Sequence, residues 1–149
     1  MRFPKLFRRV AAALAGSLLI VACSQADDQT GTAGVHAAET AAGSLDELMA
    51  AGKGIYEANC GACHQPNGKG LSGAFPPLAE SDYLLRDRED VLAVALLGLS
   101  GPITVNDQEY NGVMPSMAHL KDEDLAAALT YVFNSWGNSL AAVTPAEVT

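Results

Sequence analysis

Cys60-Gly61-Ala62-Cys63-His64 is the stretch on which the reading of this 149-residue chain turns. It sets two thiols with two residues between them and an imidazole directly after the second. Each thiol can form a thioether to one of the two vinyl groups of a single haem. The histidine is then held under the iron as an axial ligand, so C-x-x-C-H reads as the attachment signature of a c-type haem. A bare C-x-x-C would be ambiguous, because thioredoxin-like redox pairs and zinc knuckles share it. A tetrahedral zinc site needs a second ligand pair, and the chain holds no second C-x-x-C and no H-x₃₋₅-H. A thioredoxin reading needs a βαβ context that the flanks do not offer. A redox dithiol remains as the rival.

The N-terminus reads as a processing segment, residues 1–22. Arg2, Lys5, Arg8 and Arg9 form a basic start, and Val10 to Ala22 is apolar but short for a bilayer span, as in a secretory signal. Ile20-Val21-Ala22-Cys23 resembles the lipobox of bacterial lipoprotein precursors, in which the cysteine becomes the first mature residue and carries the lipid. The rival is an ordinary signal or an uncleaved anchor in which Cys23 is incidental. Ser24 follows, which resembles the pattern sorted to the outer membrane in Gram-negative lipoproteins. Export agrees with the haem motif, since covalent haem attachment in bacteria takes place outside the cytoplasmic membrane. The expected location is the periplasmic side, anchored by lipid at Cys23. The three cysteines then form no disulfide framework, two serving the haem and one the lipid.

Residues 24–43 are Ala, Gly, Thr, Ser and acid, with almost no large apolar group, and read with Cys23 as a flexible tether. Such a coil spans about 25 Å r.m.s. and about 70 Å stretched. His36 within it reads as a solvated residue. The full chain has a net charge of −8. Four of its nine basic residues and none of its seventeen acidic ones lie in residues 1–22, so the mature side chains carry −12. That balance argues against nucleic acid and against electrostatic docking on anionic lipid. It suits a redox partner with a basic face.

The folded part is expected over residues 44–138, with 139–149 as a tail. Ser44 and Glu47 form a capping-box pattern ahead of Leu45, Leu48, Ala51, Ile55 and Tyr56 at helical spacing. Gly52 and Gly54 weaken that helix, which implies a packing reason for them. The run after His64, rich in Gly and Pro, forbids regular structure and must wrap something. A helix follows over about Arg88 to Leu97, capped by Asp87 and stopped by Gly98. Ile103 to Tyr110 suggests a small hairpin turning at Asn106-Asp107-Gln108, with Gly112 to Met117 as a loop. A last helix is predicted from Asp122 to Ser135, its acidic start suiting the positive helix end.

These segments resemble the class I cytochromes c: a first helix with G-x-x-x-Y, then C-x-x-C-H, a P-x-L element, and M-P before a last helix with an aromatic residue. The phrases FPPLA, YNGVMP and YVFNSWGN are similar to those of small bacterial monohaem cytochromes. Such domains partner copper nitrite reductases or serve as subunits of membrane dehydrogenases and oxidases. The resemblance implies an all-α cytochrome c fold, three to four short helices and long loops around one covalently bound haem c. It implies Cys60 and Cys63 as the thioether pair and His64 as the proximal iron ligand. The carbonyl of Pro76, twelve residues on, takes the other imidazole N–H, and Leu78 lies on the haem wall. Gly52 and Tyr56 are implied at the crossing of the first helix with Ala128 and Tyr131 of the last.

For the sixth ligand the resemblance favours Met114, which precedes Pro115, with Met117 and His119 as competitors. Lys121 stands where a Ser or Thr cap is common, leaving Asp122 to cap, and Asp107 where a turn glycine is common. Trp136 is read as packing on the first helix. Arg86 and Arg88 are either solvated or paired with haem propionates. With the iron saturated by His and Met, the expected function is one-electron transfer rather than enzyme catalysis. The alternatives are a permanent cytochrome subunit of a membrane-associated dehydrogenase or reductase, and an enzyme or sensor, which needs an open sixth site.

Overall fold

A computed structural model describes residues 44–149. The signal segment, Cys23, the tether and His36 lie outside the described residues. Four helices and one hairpin follow in order: α1 (Leu45–Asn59), α2 (Gly61–His64), α3 (Arg88–Leu97), β1 (Leu99–Val105), β2 (Gln108–Met114) and α4 (Asp122–Phe133). Short 3₁₀ turns occur at Asp82–Leu85 and Pro145–Glu147. No helix among the described residues is long and apolar enough to cross a membrane.

The start of α1 is set locally. The Glu47 N–H donates to the Ser44 hydroxyl and the Ser44 N–H donates to the Glu47 carboxylate, a reciprocal cap of the kind that stabilises a helix by about 1 kcal/mol. The helix then crosses α4 closely. A Cβ at Gly52 would overlap the Ala127 carbonyl, so only glycine permits this approach. One turn on, the Tyr56 ring meets Tyr131 at 5.5 Å and Trp136 at 5.0 Å between centroids, and its hydroxyl donates to the Gln65 carbonyl at 2.7 Å. Two expectations need correction. Gly52 faces Ala127 rather than Ala128, one helical step away, and Ala128 turns toward a crevice on the far side of α4. Gly54 faces open space and serves no packing, and Ala51 is exposed.

The hairpin is longer than its sequence suggested. It pairs Leu99 with Met114 at one end and Val105 with Gln108 at the other, so Gly112 to Met114, expected in a loop, are strand. The turn residues Asn106 and Asp107 both have positive φ, 49° and 61°, as a two-residue hairpin turn demands. Asn106 also anchors the preceding loop: its N–H donates to the Asp82 carboxylate at 2.8 Å, and its side-chain oxygen accepts the Asp82 N–H at 2.9 Å.

In α4, Lys121 is the N-cap and makes no side-chain capping bond. Asp122 does not take over that role, because its carboxylate accepts from the Thr149 hydroxyl. The helix ends at Phe133, two residues before the expected end. Residues 139–149 are not a free tail. Val143 and Val148 are buried in the core cluster, and the Val143 N–H donates to the Thr130 hydroxyl at 2.9 Å. Arg88 bonds Glu147 at 2.6 Å and donates to the carbonyls of Ala141 and Ala142. Arg88 is therefore committed to the C-terminal segment, with about a third of its side chain exposed, and Arg86 stacks on the Tyr83 ring at 4.3 Å.

Gly52→Ala is expected to cost about 1–3 kcal/mol by overpacking the α1–α4 crossing. Gly54→Ala is expected to stabilise by up to about 1 kcal/mol. Thermal unfolding of the two variants checks both, and equal effects would contradict the crossing. A second expectation concerns Glu147, whose carboxyl is held down to about 2 by the hydrogen bond from Arg88, then by Thr144. A carboxylate with a lowered folded pKa adds stability above its ordinary value near 4.5 and loses it as pH falls toward 2. Glu147→Gln should be less stable than the parent at pH 6, and the gap should close between pH 4.5 and 2 in urea unfolding.

Candidate haem-binding site

Between α2, the loop after it, α3, the hairpin and α4 lies a crevice with about 1420 Å³ of empty space, its open mouth included. Its wall carries no Asp, Glu, Lys or Arg side chain. In a chain this acidic, that exclusion marks the crevice as a place for an apolar group.

The C-x-x-C-H spacing becomes one helical turn. The N–H groups of Cys63 and His64 donate back to the Cys60 carbonyl at 3.2 and 2.9 Å. Positions i, i+3 and i+4 share a face, and Cys60, Cys63 and His64 all line the crevice. His64 is 8% exposed. Its Nδ1 lies 3.0 Å from the Pro76 carbonyl oxygen. A carbonyl only accepts, so Nδ1 carries the proton and Nε2 keeps its lone pair for a metal. Burial pushes the His64 pKa down against the opposing effect of that bond, which favours the neutral imidazole that binds metals. The loop places Pro76 through Gly70, whose N–H donates to the His64 carbonyl at 2.9 Å. At Gly70 φ is +61°, and a Cβ there would overlap the Phe75 carbonyl.

The Cys60 thiol is unlike that of a redox dithiol. Burial, reinforced by Cys63, pushes the Cys60 thiol up to about 11, whereas thiol–disulfide catalysts depress theirs. Among the described residues there is no cluster of three or more His, Cys, Asp or Glu able to hold a metal ion. The metal chemistry on offer is one imidazole plus thioether sulfur.

Two methionines reach the wall. Met114 closes β2, half-buried, and Met117 is buried. Their loop is pinned to the end of α3: the Ser116 hydroxyl donates to the Leu96 carbonyl at 2.6 Å, and the Met117 N–H to the Ala95 carbonyl at 3.0 Å. His119 is exposed and outside the wall. Leu78 lies on the wall, its N–H held by the Gly68 carbonyl at 2.7 Å. Sequence reasoning missed Ser81, which lines the crevice at 4% exposure with a hydroxyl that has no hydrogen-bond partner. It also missed Val105 and Tyr110, which close the wall from the hairpin. Two thiols, a spare imidazole nitrogen, thioether sulfur, apolar walls and one orphaned hydroxyl fit a covalently bound haem with a polar periphery.

Residues 49–136 match the family model described as Cytochrome c. The chain belongs to the cytochrome c family. A cytochrome c-552 of Thermus thermophilus is 46% identical over 101 residues, 65% of this chain and 68% of that protein. A second Thermus thermophilus cytochrome c-552 is 48% identical over 95 residues, 61% and 72% of the two chains. The cytochrome c subunit of a quinone alcohol dehydrogenase of Gluconobacter oxydans is 34% identical over 92 residues, 60% of this chain but 19% of that longer protein. The chain is thus an electron-transfer protein rather than an enzyme, with covalently bound haem c and its iron as cofactor. The helices and hairpin described above are consistent with the cytochrome c fold.

Proposed function

We propose that the chain carries single electrons between redox proteins on the periplasmic side of a membrane, tethered there by lipid on Cys23, through a haem ligated by His64 and Met114. The observation that carries the haem reading is the one-turn cluster of Cys60, Cys63 and His64 on a charge-free crevice, with the imidazole oriented by Pro76. Cys60 and Cys63 hold the thioethers. His64 offers Nε2 to the iron while Pro76 fixes its ring and raises its basicity. Met114 rather than Met117 supplies the sixth ligand, as the half-buried methionine at the strand end, whereas Met117 belongs to the buried core. When bound, the haem supplies a one-electron couple. Thioether ligation and apolar burial raise its potential. Leu78, Val91 and Leu129 line the crevice and would keep water from a haem held there, and with His64 and Met114 both as ligands, oxygen and substrate chemistry would have no open site.

The membrane tether rests on the lipobox-like end of the signal segment and the coil that follows it. A second reading, a permanent subunit of a membrane dehydrogenase, is favoured by the likeness to the Gluconobacter subunit. Recovery in a stoichiometric complex after gentle extraction selects it over the free carrier.

Met114→Ala is expected to abolish the iron–sulfur charge-transfer absorption of the ferric protein. It should also lower the midpoint potential by more than about 0.1 V, a fraction of the roughly 0.8 V that axial ligation spans. Met117→Ala should keep the band, and the reverse pattern would transfer the ligand role to Met117. Cys23→Ser, expressed from the full precursor, should move the protein from the membrane to the soluble fraction. Intact mass should show acylation in the parent alone, and an unacylated parent would reject the tether.

A further inference from the structure

The crevice wall is apolar except at a few points, and all but one of its buried polar groups are occupied. The Asn59 side-chain nitrogen donates to the Ile55 carbonyl. The Tyr110 hydroxyl donates to the Gln108 side-chain oxygen. His64 Nδ1 is taken by Pro76. Among the described residues, the Ser81 hydroxyl alone is buried with no partner. Leaving a buried hydroxyl unpaired is unfavourable, so it calls for an occupant of the crevice that accepts a hydrogen bond.

The backbone around Ser81 is held from both sides. Glu80 adopts φ +47°, a left-handed conformation unfavourable for its side chain. Its carbonyl accepts from the Asn106 side-chain nitrogen at 3.2 Å. Asp82 exchanges two hydrogen bonds with Asn106 at 2.8 and 2.9 Å. The residues flanking Ser81 are thus clamped to the hairpin turn, and the hydroxyl between them is left inside the crevice.

Position along the hairpin decides what the hydroxyl meets. Met114 pairs with Leu99 at the open end, and Asn106 follows Val105 at the turn. The strand between those ends, Leu99–Val105, spans about 20 Å of extended chain. Ser81 is tied to the turn end, so it lies away from Met114 and its sulfur. The hydrogen-bond acceptors of a haem at its periphery are the two propionate carboxylates. The wall offers them no Lys or Arg side chain, and Arg88 is bonded to Glu147.

We infer that the Ser81 hydroxyl would donate a hydrogen bond to a haem propionate and so help to orient the macrocycle by its periphery. The inference rests on the haem reading of the same crevice. A bond to a carboxylate disperses its negative charge. Losing it strengthens the field that favours ferric iron, so the midpoint potential falls.

The test compares purified holoprotein as wild type, Ser81→Ala and Ser81→Thr. Resonance Raman spectra should show a propionate bending mode that shifts in Ser81→Ala and returns in Ser81→Thr, with the potential lowered in the alanine variant alone. In the wild type the same mode should move on transfer to D₂O, because the donor proton exchanges. This second readout does not depend on either variant folding. A propionate mode indifferent to all three changes, in protein with one haem per chain, overturns the Ser81 assignment and leaves the haem reading intact. A wild-type chain without covalent haem would instead overturn the reading beneath it.

Discussion

The close crossing of α1 and α4 sets the position of everything else. Gly52 lets the Ala127 carbonyl of α4 come against the backbone of α1. Tyr56, Tyr131 and Trp136 then lock the next turn as a three-ring cluster. Because α1 runs into the Cys60–His64 turn, fixing α1 on α4 also fixes where the two thiols and the imidazole point. The opposite face of α4, through Leu125, Ala128 and Val132, forms a wall of the crevice. One backbone contact thus relates the attachment turn to the surface that faces it. A side chain at residue 52 would shift the two together.

Features encoded by neighbouring residues were legible in the sequence. The Ser44–Glu47 box, the Asp87 cap and the Gly98 stop each depend on a few adjacent positions, and the helices they bound occur where expected. The attachment turn was legible for the same reason. What required tertiary context was not. Ala127 and Ala128 differ by one residue, and no local pattern says which of two alanines meets a glycine on another helix. The strands escaped over Gly101, Pro102 and Gly112, residues poor in strand signal. Pro102 is tolerated because a two-stranded ribbon is all edge. Val143 and Val148 carry no periodicity, so their burial under α4 could not be read without Arg88 in place to draw residues 141–147 back. Ser81 had no signal at all, being one small polar residue in a loop.

The charge distribution follows from the same geometry. A single acidic side chain inside an apolar crevice would demand a partner or a large pKa rise. The described acids stay out of the crevice wall, several at helix starts: Asp46 and Glu47 in α1, Glu89 and Asp90 in α3, and Asp122 to Asp124 in α4. There they favour the positive end of each helix. Acidity therefore costs the interior nothing, and a prosthetic group in the crevice meets a low-dielectric wall instead of a field of fixed negative charges.

The hairpin forms the wall of the crevice that faces α4. It is the only sheet among the described residues and has just two strands, marginal in isolation. Both its ends are tied to other elements. Gly98 allows the Met114 carbonyl to lie against the end of α3, and Asn106 clamps the turn to the loop at Glu80 and Asp82. Between these fixings, Ile103, Val105 and Tyr110 face the crevice, while Val113 near the open end is 76% exposed. A beam held at both ends keeps its spacing from α4. It carries Met114 at one end and, through Asn106, holds the loop of Ser81 at the other. A free loop of the same length could hold either residue, but it would not hold both at a fixed separation.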